Sequence, residues 1–180
     1  MAAMMNNEGH ILANELDNIR CERLKYNIEK QGANIVEVIN KRGEKVGEEC
    51  KEQFDKVLLD APCSGEGRFL GTNVGTYRNW STKTVKELTK LQKKLLKSAY
   101  QALKPDGVMV YSTCTLNKKE NEEVLQWAIE NLNVKLLEID IDLKEKMQGF
   151  TEGLDKSISK AIRILPSKNM EGFFVAKLKK

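Results

Sequence analysis

Apolar residues along this chain alternate between two kinds of pattern, short unbroken runs and stripes spaced three or four apart. "HILANEL" (10–16) is a short run that ends on the acid Glu15. "DNIRCERLKYNIEKQG" (17–32) predicts a helix capped by Asp17, with Ile19, Leu24 and Ile28 on one face and Gly32 as its stop. "ANIVEVI" (33–39) and "FDKVLLD" (54–60) are rich in β-branched and apolar residues and read as strands. Leu88, Leu91, Leu95, Ala99 and Ala102 form a single stripe and predict a helix over 82–103. "KPDG" (104–107) reads as a turn before the run "VMVYSTC" (108–114). A helix over about 118–132 follows, with Asn117 as cap and Glu120 three residues on. "VKLLEIDI" and "GFFVAKLKK" predict two further strands, whereas 142–162 is polar and aperiodic, a loop region with a short helix.

Strands that are continuously apolar and alternate with helices predict an α/β fold with a mainly parallel sheet. Ligands of such sheets gather at the carboxyl ends of the strands. Glu15, Asp60 with Cys63, and Cys114 all fall there.

Composition narrows the options. A chain of 180 residues, 41% hydrophobic, suffices for one domain. The net charge of +4 suits a polyanionic partner and equally an ordinary soluble protein. Four cysteines without a CxxC pair and a single histidine, His10, give no zinc-ligand spacing, so no metal is expected. No apolar stretch approaches the roughly 18 residues that span a bilayer, so no membrane contact is expected. The expected location is the cytoplasm, with reduced thiols.

Cys63 and Cys114 each follow an apolar run, and if the two strands are neighbours both thiols face one crevice with Asp60. A thiolate there is a soft nucleophile able to add to an electron-poor carbon such as C6 of a pyrimidine, and a carboxyl group can hydrogen-bond the ring nitrogen. Buried cysteines also serve simply as packing, and either thiol could be the reactive one.

The segments "FDKVLLDAPCSGEG" and "GVMVYSTCTLNKKENE" resemble two signatures of the RNA cytosine-C5 methyltransferases, the family that makes 5-methylcytosine in ribosomal and transfer RNA. "NNEGHILANELDNIRCERLKYNIEKQG" and "RILPSKNMEGFFVAKLKK" extend the likeness over nearly the whole chain, toward the bacterial enzymes of the small ribosomal subunit in particular. The resemblance implies a Rossmann-like methyltransferase fold, S-adenosyl-L-methionine as methyl donor and RNA, most of all ribosomal RNA, as partner. It implies that Cys114 is the nucleophile and that Cys63 assists release of the product. Asp60 is implied to meet both base and donor, and Glu15 to hold the donor's ribose hydroxyls.

Two departures fall on the donor side. The first strand and the glycine-rich cofactor loop of the family have no counterpart. The chain starts at "MAAMMNNEG", like the tail of the helix after that loop, so residues 1–180 are expected to be a single, incomplete, N-terminally truncated catalytic domain. Arg42 stands where the family has an acid for the adenine amine, and a guanidinium cannot accept a hydrogen bond. Arg68, Tyr77, Arg78 and Trp80, after the first signature, mix cations and rings in the manner of RNA contacts. Lys83, Lys86, Lys90, Lys93 and Lys97 form a stripe that is either a second basic surface or an ordinary solvated face. The leading expectation is an RNA cytosine-C5 methyltransferase acting through a cysteine adduct. The rival is a silent remnant that keeps RNA or protein binding.

Overall fold

The computed structural model describes residues 1–180. Strand β1 (Ile11–Asn14) leads into helix α1 (Asn18–Lys30), and the Asp17 carboxylate accepts from the Arg20 amide at 2.8 Å, the expected cap. The helix ends before Gly32, whose φ of +64° is open to glycine at no steric cost. Cys21 is its buried residue, while Ile19, expected on the inner face, is 66% exposed. Strand β2 (Val36–Ile39) returns parallel to β1.

Helix α2 (Gly43–Glu49) has no counterpart in the predicted elements. It is held by smallness: a Cβ on Gly47 would lie 2.1 Å from the Ser98 carbonyl oxygen, so only glycine lets the helices approach. The Ser98 hydroxyl accepts from the Gly47 amide and donates to the Gly43 carbonyl, at 2.8 and 2.7 Å. Gly43 and Gly47 lie one turn apart and face α3 together.

Strand β3 (Phe54–Asp60) matches its predicted bounds. Helix α3 (Thr82–Ala102) is capped by Ser81, as its hydroxyl accepts from the Thr84 amide at 3.1 Å. Its inner face is Val85, Gln92, Leu96, Ala99 and Ala102, while Leu88, Leu91 and Leu95 are half-buried beside it. Strand β4 (Leu103–Thr113) starts directly at the end of α3. The "KPDG" turn is a bulge inside this strand, with Asp106 at φ +63° and a register that jumps from Phe54↔Leu103 to Lys56↔Val108.

Helix α4 (Glu122–Asn131) begins about a turn later than predicted, and β5 (Lys135–Leu137) is shorter. The aperiodic stretch contains two strands, β6 (Lys146–Gln148) and β7 (Ile162–Ile164), before the last strand, β8 (Phe173–Lys179). The main sheet has the order β3-β4-β8-β7-β6, with β5 sharing the outer edge of β8 with β7. β3 and β4 are parallel, and β8 and the strands beyond it are antiparallel. β1 and β2 form a separate two-stranded sheet, and the free edges of β1 and β3 pair with nothing. Between the two sheets runs a cleft of about 420 Å³ whose lining includes Leu12, Ile39, Phe54 and Asp55. No helix is long and apolar enough to cross a membrane.

The core lies around β4 and β8, where Met109, Tyr111, Phe174, Ala176 and Leu178 pack with Leu96, Val124, Leu125 and Ala128. Beside it a buried ion pair joins β7 to α4: Arg163 Nε and Nη2 each lie 2.6 Å from a Glu122 carboxylate oxygen. The guanidinium also lies 4.1 Å from the centre of the Phe150 ring, and Nη1 donates to the Leu116 carbonyl at 2.8 Å. Removing one partner strands the other charge out of water. Arg163→Ala and Glu122→Gln, which strand a buried anion and a buried cation in turn, should therefore each lower the unfolding free energy in urea titration, Arg163→Ala by about 3–5 kcal/mol.

Candidate functional site

The parallel ladder between β3 and β4 puts the ends of two successive apolar strands side by side, and the site grows from that register. Asp60 pairs with Ser112 in the ladder, and the Ser112 hydroxyl donates to the Asp60 carboxylate at 3.0 Å. The Ala61 amide donates to the Ser112 carbonyl at 2.9 Å, carrying the ladder one residue beyond β3. Pro62 then ends the pairing, because it has no N–H to offer. The chain turns at Gly65, φ +74°, and Cys63 comes to face Cys114, the residue after β4. Their sulfurs are 3.0 Å apart.

Burial and that contact both act on the Cys63 proton. Burial pushes the Cys63 thiol up to about 12, with the hydrogen bond and the negative charge of Cys114 adding to the rise. Cys63 is thus held as a neutral thiol at neutral pH, while either sulfur can be the donor in the contact.

The loops after the two strands are joined through backbone as well as side chains. The Gly67 amide donates to the Cys114 carbonyl at 3.0 Å, and the Gly172 amide donates to the Gly67 carbonyl at 2.8 Å. A Cβ on Gly67 would lie 1.9 Å from the Gly172 oxygen and 2.9 Å from that of Cys114, so a side chain there would wedge the loops apart. Glu66 accepts from Asn117 Nδ2 at 2.7 Å and from Trp80 Nε1 at 2.9 Å, which fixes the indole at the rim.

The structure brings together some of the sequence-derived residues and not others. Cys63 and Cys114 touch, whereas Asp60 is exposed beside them and bonded to Ser112, not between the two sulfurs. Arg68, Arg78 and Trp80 lie exposed on the loop that follows Gly67, and the Tyr77 ring packs on Phe69 at 5.9 Å. On α3, Lys83, Lys86, Lys90 and Lys97 point to solvent, while Lys93 sits over the Trp127 ring at 5.9 Å and is not part of an open stripe. Glu15 lies at the end of β1, on the other sheet. Its carboxylate accepts from the Asp17 amide at 3.0 Å and pairs with Arg20 at 2.9 Å. Arg42 caps α2 and pairs with Glu44 at 2.8 Å, which holds the Glu44 carboxyl below its usual range. No group of three His, Cys, Asp or Glu side chains is placed to hold a metal ion.

The residue most clearly missed from sequence is Glu120. Its carboxylate does not cap a helix. It turns inward, wholly buried, to Ser64 and Gln92. An acid shortly before a helix reads as a cap in any linear pattern, so nothing local announced this.

An α/β domain with paired thiols at adjoining strand ends and unpaired edges on β1 and β3 has the architecture of the Rossmann-like methyltransferases. The family described as 16S rRNA methyltransferase RsmB/F matches residues 1–179, and the chain belongs to that family. It is 40% identical over 183 residues to the ribosomal RNA small subunit methyltransferase F of Vibrio vulnificus and 40% identical over 185 residues to that of Escherichia coli O6:H1. All of this chain is covered, but only 37% of each relative. Among solved structures, a methyltransferase homolog protein from Pyrococcus horikoshii superposes with a TM-score of 0.83 at 34% identity, over 99% of this chain and 56% of that one. NSun6 from the same organism, solved with SFG, gives 0.83 at 29% identity over 99% and 43%.

Replacing Cys114 should remove two of the three causes that raise Cys63. In Cys114→Ala the pH profile of Cys63 alkylation should move down, so that at a fixed pH below it the rate rises by at least about tenfold. Mass spectrometry of the iodoacetamide-labelled peptide reads this directly, and an unmoved profile would mean that burial alone sets the thiol.

Proposed function

We infer that this chain is the base-attacking part of an enzyme that methylates C5 of a cytosine in RNA, ribosomal RNA in the first place. The observation that carries the reading is the contact between a protonated Cys63 and Cys114 at the ends of two parallel strands. C5 of cytosine is a weak nucleophile while the ring is aromatic. Addition of the Cys114 thiolate to C6 breaks the 5,6 double bond and sends its electrons toward C5 and N3, and a protonated Asp60 carboxyl would hydrogen-bond the ring nitrogen as charge develops. S-adenosyl-L-methionine, when bound, supplies the electrophilic methyl group. After transfer, a base removes the C5 proton, the C5–C6 double bond reforms and Cys114 leaves as thiolate.

Cys63 fits the role of that base in a defined order. While Cys114 is a free thiolate its charge and hydrogen bond keep the proton on Cys63. Once Cys114 is bound to carbon as a neutral thioether, both influences fall away and Cys63 gives up its proton more readily. The Cys63 proton then passes to solvent, and the thiolate left behind takes the proton from C5.

The donor side is less complete. Glu15 offers two acceptor oxygens that suit vicinal hydroxyls, but Arg42 offers only donors and is occupied by Glu44. We read residues 1–180 as a single domain missing one parallel strand, with the free edges of β1 and β3 as the strand's place. This shortfall favours a second reading, a chain that keeps RNA or protein binding in the cytoplasm but is silent on its own.

RNA trapping in the presence of donor separates the two. The parent should give a covalent adduct, Cys114→Ala none, and Cys63→Ala more than the parent, because release fails. If an adduct appears only when the missing strand and loop are supplied from a full-length relative, the enzyme reading holds for the domain and the silent reading for this chain alone. Adduct through Cys63 in place of Cys114 would reverse the roles. For RNA contact, Arg68→Ala with Arg78→Ala should weaken binding and reduce the slope of log affinity against log salt by about 1.4–1.8, as expected for two lost phosphate contacts; an unchanged slope removes both residues from the interface.

A further inference from the structure

We propose that Glu120 is a positioning residue, whose buried carboxylate ties the Cys63 loop to the Cys114 loop and so sets the contact between the two sulfurs. As a role in catalysis it rests on the reading above that these are the reacting thiols.

Glu120 is fully buried, and no lysine, arginine or histidine pairs with it. A carboxylate taken out of water without a counter-charge is costly unless hydrogen-bond donors surround it. Three do. Oε1 accepts from the Ser64 amide at 2.9 Å and from Gln92 Nε2 at 3.0 Å, and Oε2 accepts from the Ser64 hydroxyl. Charge-assisted bonds of this kind are about twice as strong as neutral ones.

The donors are distributed so that they bracket the thiols. Ser64 follows Cys63 directly, and Gln92 Nε2 also donates to the carbonyl of Pro62, the residue before it, at 2.9 Å. The Ser64 hydroxyl lies 3.0 Å from that of Thr115, the residue after Cys114. Tyr111, on the strand that delivers Cys114, donates its hydroxyl to the Glu120 carbonyl at 2.6 Å. Both neighbours of Cys63 and one neighbour of Cys114 thus meet in one network with the Glu120 carboxylate at its centre. The price of committing both Gln92 hydrogens is visible in its own amide oxygen, which is buried without a protein partner.

Truncation to alanine leaves the Ser64 amide and one Gln92 N–H unsatisfied in a dry site and the Ser64 hydroxyl with Thr115 alone, and the loops relieve this by separating to admit water. Glutamine behaves differently. Its oxygen can still accept from Ser64 and Gln92, and its NH2 can donate to the Ser64 hydroxyl oxygen while that hydroxyl turns to Thr115. Shape and bracing survive although the charge is lost.

The test is the pH profile of Cys63 alkylation by iodoacetamide, measured on the full 180-residue chain without RNA or donor. Glu120→Ala should shift the profile to lower pH, raising the rate at fixed pH at least about tenfold, as Cys114→Ala does, because Cys63 has lost its sulfur neighbour. Glu120→Gln should keep the parent profile. If Glu120→Ala does not fold, judged by circular dichroism and by labelling of the buried Cys21, then Ser64→Ala, which removes one donor, should give a smaller shift of the same sign. A folded Glu120→Ala with the parent profile, equal shifts in the alanine and glutamine variants, or no shift in the Ser64→Ala fallback overturns the proposal. Because this readout involves no RNA, a chain that shows these shifts yet traps no RNA loses the proposed function and keeps the bracing role. A chain that traps RNA through Cys114 while Glu120→Ala leaves the profile unmoved does the reverse.

Discussion

The 3.0 Å hydrogen bond from the Gly67 amide to the Cys114 carbonyl is the contact on which the arrangement of the site depends. Parallel strands place their ends together but leave the loops beyond them free to diverge, since no hairpin joins them. Here the loop after β3 is brought back against the loop after β4, and glycine is required because Gly172 closes on the other side of Gly67. With backbone fixed at Cys114 and carboxylate bonds fixed at Ser64, the freedom of Cys63 between them is small. Its sulfur is directed at Cys114 by the loop rather than by its own rotamer alone. The cost of ordering the loops is met before any ligand arrives, which is what preorganisation of a reacting pair requires.

A second consequence concerns how rigidity is shared across the molecule. Everything that orders the thiols is anchored in the larger sheet: β3, β4 and β8, the helices α3 and α4, and the Arg163–Glu122 pair that also holds the Leu116 carbonyl two residues past Cys114. The smaller sheet carries Glu15 and Arg42 and meets the rest chiefly where α2 lies on α3 through Gly43 and Gly47. Two free strand edges across a cleft are an unsatisfied arrangement, since edge amides and carbonyls seek partners. The half that carries the thiols can therefore be well ordered while the edges of β1 and β3 stay unpaired across the cleft.

The parts of this design legible in the sequence are those written as local pattern. β3 is a continuous apolar run ended by Pro62, and its bounds are met to the residue; α3 is long, strongly striped and capped by Ser81, and it ends within a residue of its predicted stop. What escaped was set by tertiary contact. α2 is short and rich in Gly, Glu and Lys, and owes its place to α3 rather than to propensity. β6 and β7 are three residues each, too short to show a period; β7 is fixed by pairing with β8, and β6 by pairing with β7. α4 starts late because Glu120 and Asn121 are spent elsewhere, the first on Ser64 and Gln92 and the second on Thr113 and Thr115. At the site, the positions of both cysteines followed from where apolar runs stop. Their 3.0 Å contact did not, because it depends on loops whose partners lie some fifty residues apart.

On the reading that Cys114 is the nucleophile, the pairing of an elevated Cys63 with a buried Glu120 also bears on why the site tolerates an uncompensated anion nearby. A cation at the position of Glu120 would stabilise thiolates at both sulfurs, and two adjacent thiolates repel. An uncharged residue would leave the two loops to part. A carboxylate saturated by amide and hydroxyl donors holds the loops without attracting a second negative charge into the crevice. The asymmetry between two chemically identical side chains then arises from what surrounds them: Cys63 is enclosed by the loop that Glu120 braces, and Cys114 stands at the end of its strand with its carbonyl tied and its sulfur against that of Cys63.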